Sequence, residues 1–273
     1  MVGEALLRHP KVRRIAFTGE SVTGKRVMEI AGRDFKRVTL ELGGSDPMIV
    51  CDDADLDRAT TGASVGRFYN CGQACLAIKR LYLFESIADS FIEKLMGKVA
   101  RLKVGNGINK DTRLGPLHTA KQREEVEEQV ADALSKGAKL LTGGARPEGS
   151  EFEKGFFYLP TLLTQVDESS RIVQEECFGP ALPIFRVKDI DEAIAKANSS
   201  IYGLGSSIWT RDLVKANKAA EKIEAGVTWV NSLHIGYDEL PFGGVKQSGI
   251  GREHGPEALD YYVEPKSIVM AVG

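Results

Sequence analysis

Short runs rich in Val, Ile, Leu and Phe alternate, along almost the whole chain, with stretches whose apolar residues return every third or fourth position. The first pattern suits buried strands and the second suits amphipathic helices. Residues 12–17 read as a strand that ends at Thr18-Gly19. A glycine-bearing loop over 19–24 leads into a helix at 25–31, with Gly32 as its stop, and 36–42 is the next strand, closed by Gly43-Gly44. The unit then recurs. Residues 46–51 form a strand, and Asp52, Asp53 and Asp55 are candidate caps of a helix running to about Arg67. A strand at 81–84 precedes a helix that sets Ile87, Phe91, Leu95 and Val99 on one face. A charged helix at 121–136 turns Val126, Val130 and Leu134 inward and stops at Gly137. Residues 156–163 are extended with a break at Pro160, and strands at 181–187, 205–209 and 226–230 enclose two more helices. Strand, helix, strand with short connections predicts an α/β fold, a sheet covered by helices.

At 273 residues, with 42% hydrophobic and 27% charged, the chain is long and apolar enough for a large packed core. The net charge of −2 offers no basic excess for phosphates, so nucleic acid is not an expected partner. No apolar run approaches the ~20 residues of a membrane span. No basic stretch followed by an apolar one opens the chain, so no signal peptide is expected and a cytoplasmic setting is.

Chemistry concentrates in two stretches. Phe68-Tyr69-Asn70-Cys71-Gly72-Gln73-Ala74-Cys75-Leu76-Ala77-Ile78-Lys79 sets Cys75 behind a Gly-Gln pair, and Val38-Thr39-Leu40-Glu41-Leu42-Gly43-Gly44 carries Glu41 at a strand end. A thiol and a carboxylate are the minimum pair for forming a thioester and then hydrolysing it. Cysteines stand at 51, 71, 75 and 177, without a CxxC pattern, and no HExxH occurs among the four histidines. Reduced thiols are therefore expected, and no metal site. Cys51 and Cys177 read as buried small hydrophobes. Cys71, four before Cys75, is poorly spaced for a disulfide if the segment is helical. The loop over 19–24 could present backbone N–H groups to a phosphate, but it is not GxGxxG and serves equally as an ordinary turn. The densest glycine run, 241–253, reads as tight turns.

Five motifs taken together resemble the NAD(P)-dependent aldehyde dehydrogenase superfamily. They are Phe17-Thr18-Gly19, Glu41-Leu42-Gly43-Gly44, Gly72-Gln73-Ala74-Cys75, Glu175-Glu176-Cys177-Phe178-Gly179-Pro180, and Pro241-Phe242-Gly243-Gly244 with Ser248-Gly249 and Gly251-Arg252-Glu253. Their order and intervals follow the family over essentially the whole chain. The resemblance implies Cys75 as nucleophile and Glu41 as general base, with Leu42 at the cofactor pocket. It puts Gly19, Glu20 and Gly24 under the pyrophosphate of NAD or NADP, Glu176 on the nicotinamide ribose and Phe178 beside the nicotinamide. Phe242 falls on the wall of the tunnel for a small-molecule aldehyde, and residues 232–240 on its variable part. A hydrolytic Glu41 argues against the coenzyme-A-acylating branch.

The resemblance also implies an organisation. Residues 1–44 would be the last strand–helix–strand unit of a Rossmann-type NAD(P) domain, 45–260 the catalytic thiol domain with a parallel-rich sheet, and 261–273 an oligomerisation strand of a homodimer or homotetramer. Two departures stand out. Glu20 occupies a place where the family has a small hydroxyl residue, and a carboxylate there repels a pyrophosphate unless it points away. The family also has a long segment ahead of this stretch, with most of the nucleotide-binding sheet, so the chain reads as the later part of such an enzyme. Two alternatives follow: a truncated, non-catalytic piece, or a cofactor-free thiol esterase.

Overall fold

A computed structural model describes residues 2–233 and 238–273. In chain order the main elements are α1 (Val2–Arg8), β1 (Arg14–Thr18), α2 (Ser21–Arg33), β2 (Arg37–Glu41), β3 (Asp46–Val50), α3 (Leu56–Phe68), β4 (Ile78–Phe84), α4 (Glu85–Val99), α5 (Ala120–Ser135) and β5 (Lys139–Thr142). They continue with β6 (Thr161–Thr164), α6 (Arg171–Gln174), β7 (Ala181–Val187), α7 (Ile190–Asn198), β8 (Tyr202–Gly203), β9 (Gly205–Trp209), α8 (Leu213–Lys222), β10 (Val227–Val230), β11 (Val245–Lys246), β12 (Gly249–Ile250) and α9 (Glu257–Asp260).

The larger sheet has seven strands in the order β10-β9-β3-β4-β7-β6-β5. All its pairings are parallel except β5 with β6. Helices cover it, so the central strands are buried along their length: every residue of β3 and β4 is buried, the charged Asp46, Lys79 and Arg80 included. On α4, Ile87, Phe91, Leu95 and Val99 are all buried, as their spacing predicts. Asp55 caps α3, its Oδ1 accepting from the amides of Asp57 and Arg58.

The buried face of α5 differs from expectation. Val126, Gln129, Val130 and Ala133 are inside, whereas Leu134 is 36% exposed. A residue stepping by four drifts off a 3.6-residue period, so the contact line passes to Ala133. The extended run at 156–163 is a ladder strand only from Thr161.

A second, three-stranded sheet has the order β1-β2-β12. β1 and β2 are parallel and joined by α2, and they enclose a small core of Ile15, Val27, Ala31, Leu40 and Leu42. β12 comes from the glycine run and pairs antiparallel with β2, Gly249 opposite Glu41. A boundary at residue 44 is thus crossed, because a segment from the 45–260 block completes the small sheet. Gly249 has φ +155°, and any side chain there would strike the Leu40 carbonyl.

Residues 263–273 form no strand in the single chain. The tail begins against β1 and β2. Arg14 lies over the rings of Tyr261 and Tyr262, Arg13 pairs with Glu264 at 2.7 Å, and Arg37 donates to the Val263 carbonyl. Beyond it Ile268, Val269, Met270 and Val272 are exposed, with no second strand to complete a ladder. Among the described residues no helix is long and apolar enough to cross a membrane.

Candidate active site

Between the two sheets lies a cavity of about 1140 Å³. Its walls come from the β1–α2 turn (Gly19, Glu20, Ser21), the end of β2 (Glu41, Leu42, Gly43), the loop ahead of β4 (Gln73 to Leu76), Gln129 of α5, and the loop after α6 (Glu176, Phe178). Residues far apart in sequence meet here because β2 leads into β3, and β4 and β7, which follow the thiol loop and the 176–178 loop, lie next to β3 in that order in the large sheet.

The thiol loop is held by an unusual anchor. α3 ends at Phe68, and Asn70 and Cys71 follow at positive φ. That left-handed pair ends the helix and shows why Cys71 and Cys75 do not share helical spacing. Arg67, fully buried, donates to the carbonyls of Ile78, Gly72, Cys177 and Gly179. Its guanidinium therefore ties the thiol loop to the loop carrying Glu176. Gly72 sits in the crowded middle at φ +73°, where a methyl group would strike both the Gly179 carbonyl and Arg67. All four cysteines are free, but only Cys75 reaches the cavity, while Cys51, Cys71 and Cys177 are buried. Burial pushes the Cys75 thiol above its usual range, Lys79 pulls it down, Asp46 and Glu176 push it up, and the Leu76 amide pulls it down.

Glu41 lies at the end of β2 and is buried, one carboxyl oxygen having no partner. Burial first, and then the like charge of Glu253, raise its pKa to about 8 against the pull of Arg252. The carboxyl leans toward Gly243, whose lack of a side chain makes room for it. It thus shares the cavity wall with Cys75 while resting against the glycine run. Glu176 has Oε1 3.0 Å from the Gly44 amide and 3.2 Å from Lys79 Nζ. A side chain at Gly43 would displace it.

The β1–α2 turn leaves the first amides of α2 open toward the cavity. Glu20 is the N-cap residue, extended and exposed, with no side-chain cap bond, and no acidic residue follows in the first turn. Unpaired N–H groups at a helix start suit an anion. Glu20, though exposed, also lines the cavity, so its charge works against an anion held there. These amides, Leu42, Glu176 and Phe178 fit the phosphate and nicotinamide end of a dinucleotide. Two expected residues are not on the cavity wall. Gly24 packs behind Leu42, where the absent side chain lets α2 approach β2. Phe242 makes a two-bond backbone bridge to Glu253 with its ring 5.9 Å from that of His254. The variable tunnel part at 232–240 lies partly, at 234–237, outside the described residues.

Several contributors were not singled out from sequence: Arg67, Gln129, Asp46 and above all Lys79. The last stands in the cysteine motif itself. Adjacent cations at the start of an apolar strand, Lys79-Arg80-Leu81, are the signal that could have marked it, since central strands bury every side chain. Among the described residues no cluster of three or more His, Cys, Asp or Glu side chains could hold a metal.

Known proteins resemble this chain along nearly its whole length. The model of the aldehyde dehydrogenase family matches residues 1–268. A betaine aldehyde dehydrogenase of Brucella melitensis is 40% identical over 272 residues, covering 100% of this chain and 56% of the relative. A betaine aldehyde dehydrogenase of Staphylococcus aureus, solved in complex with NAD+, superposes with a TM-score of 0.92 at 40% identity, over 96% of this chain and 52% of that one. An NADP-dependent enzyme of E. coli gives 0.93 at 41% identity, over 96% and 54%. The chain spans about half the length of the curated relatives it matches.

Proposed function

Because the chain belongs to the aldehyde dehydrogenase family, we propose that it carries the thiol chemistry of an NAD- or NADP-dependent oxidation of an aldehyde to a carboxylic acid. The observation that supports this best is that Cys75 and Glu41 share one cavity with the open amides of α2. Cys75 Sγ adds to the aldehyde carbon, and the backbone N–H of Cys75 would donate to the developing oxyanion. A nicotinamide dinucleotide, when bound, supplies the hydride acceptor. The α2 amides would hold its pyrophosphate, Glu176 its ribose, and Leu42 and Phe178 would flank its nicotinamide ring. Oxidation leaves an acyl thioester on Cys75. Glu41 then takes a proton from a water, which attacks the thioester and frees the acid. Its carboxyl lies against Gly243 in the wall of the cavity that Cys75 also lines, and a pKa of about 8 suits proton acceptance at mildly alkaline pH. Residues 261–273 would serve as the segment through which copies of the chain associate, their exposed apolar side chains supporting that role.

Betaine aldehyde, the aldehyde in the relatives' names, is the first substrate to try, within a panel of small aldehydes and with both cofactors. Cofactor reduction that disappears in Cys75→Ser is the expected result. Glu41→Gln should accumulate an acyl adduct on Cys75, visible as a mass increase. Reduction that survives Cys75→Ser would refute the proposal. Ester cleavage that needs Cys75 but no cofactor, with no aldehyde oxidation, would point instead to a thiol esterase.

A further inference from the structure

Lys79 is fully buried at the start of β4, four residues after the thiol. Its Nζ lies 2.6 Å from the Cys75 carbonyl, 3.0 Å from the Ala74 carbonyl and 3.2 Å from Glu176 Oε1. Phe178 closes one side, its ring centroid 6.0 Å away. Three acceptors from two separate loops converge on one buried ammonium, and an isolated charge would not be kept out of water without such partners. Two of those acceptors belong to the nucleophile's own turn. The third is the carboxylate facing the cavity from the opposite loop.

Behind Lys79 stands a second buried acid. Asp46, on β3, accepts from the Gly205 amide at 3.0 Å through Oδ1, while Oδ2 is buried and unpartnered. Burial raises its pKa to about 6 against the pull of Lys79. Arg80, the next residue on β4, points the other way and is held by the carbonyls of Ser45, Lys196 and Ala197. The charged groups facing Cys75 are therefore Lys79 from β4, Asp46 from β3 and Glu176 from the loop after α6. Lys79 is the single cation of the three.

We propose that Lys79 is a positioning residue for the thiol chemistry: its ammonium clamps the Cys75 turn to Glu176 and holds a positive charge beside the sulfur, offsetting the two acids. Lys79's role as stated rests on Cys75 being the nucleophile of the proposed reaction. Removal of the ammonium leaves Asp46 and Glu176 unopposed, so the thiolate becomes harder to form. Removal of the Asp46 charge does the reverse. Mere loosening of the loop moves neither in this opposed way.

The test is the pH dependence of iodoacetamide alkylation at Cys75, read by peptide mass spectrometry on the whole chain without aldehyde or cofactor. Lys79→Met should raise the midpoint of the rate–pH curve by about one unit or more, slowing alkylation about tenfold at pH 8. Lys79→Arg should stay near wild type, and Asp46→Asn should lower the midpoint. A Lys79→Met midpoint that stays in place or falls would overturn the proposal. If that variant does not fold, by circular dichroism and gel filtration, Asp46→Asn decides: an unmoved or raised midpoint refutes. Because no turnover is involved, the opposed shifts can appear in a chain that oxidises no aldehyde, so loss of the proposed reaction and loss of Lys79's role are separately visible.

Discussion

A carboxyl group buried in a cavity wall, with one oxygen unpartnered and a second acid nearby, resists ionisation, and Glu41 is such a group. The sign of its effect on stability follows directly. Below pH 4.5 it is protonated in both folded and unfolded chains. Between 4.5 and about 8 the unfolded chain ionises while the folded one keeps its proton, so the fold loses stability as pH rises. Glu41→Gln removes that loss. Its thermal midpoint should exceed wild type by a margin that grows from pH 5 to 8 and then levels off, as scanning calorimetry would show. Acyl-thioester hydrolysis by the wild type should rise through the same pH range. Gly72 is the other residue that leaves little choice. With φ +73° and two collisions waiting for a methyl group, Gly72→Ala should cost about 2–4 kcal/mol in urea unfolding.

Among the elements, α5 gives the cleanest contrast. Val130 is buried and Leu134 is 36% exposed one turn later. Val130→Ala should destabilise by about 1–3 kcal/mol, whereas Leu134→Ala should stay within about 0.5 kcal/mol, both measured by urea titration. An equal loss at the two positions would show that the helix is rotated from its described face. The turn before β4 illustrates how far a local pattern reaches. Its motif marks Cys75, yet the Cys177 and Gly179 carbonyls bound by Arg67 and the Glu176 carboxylate paired with Lys79 come from a segment about a hundred positions away. No spacing within the motif encodes those partners.

For the whole molecule, two sheets with separate cores meet along a cavity, and a pair of residues from β12 joins the smaller one. The tail adds exposed apolar side chains and little packing. If copies associate through it, deletion of residues 267–273 should reduce the sedimentation mass to that of one chain while the far-UV circular dichroism stays unchanged. An unchanged mass would exclude the tail from assembly.

Local spacing carried the strand and helix alternation, the Asp55 cap of α3, the inward face of α4, and the motifs around Cys75, Glu41 and Glu176, because periodicity and chemical type are properties of neighbouring residues. It also carried the family resemblance, which needs only order and interval. The small sheet's third strand, Gly24 behind Leu42 instead of in the cavity, Phe242 off the cavity wall, and Lys79 beneath the thiol were settled by the tertiary structure alone. Each depends on which distant backbone is brought alongside and on how much water is excluded there. Crossover connections decide the first and packing decides the second, and neither leaves a mark on adjacent positions of the chain.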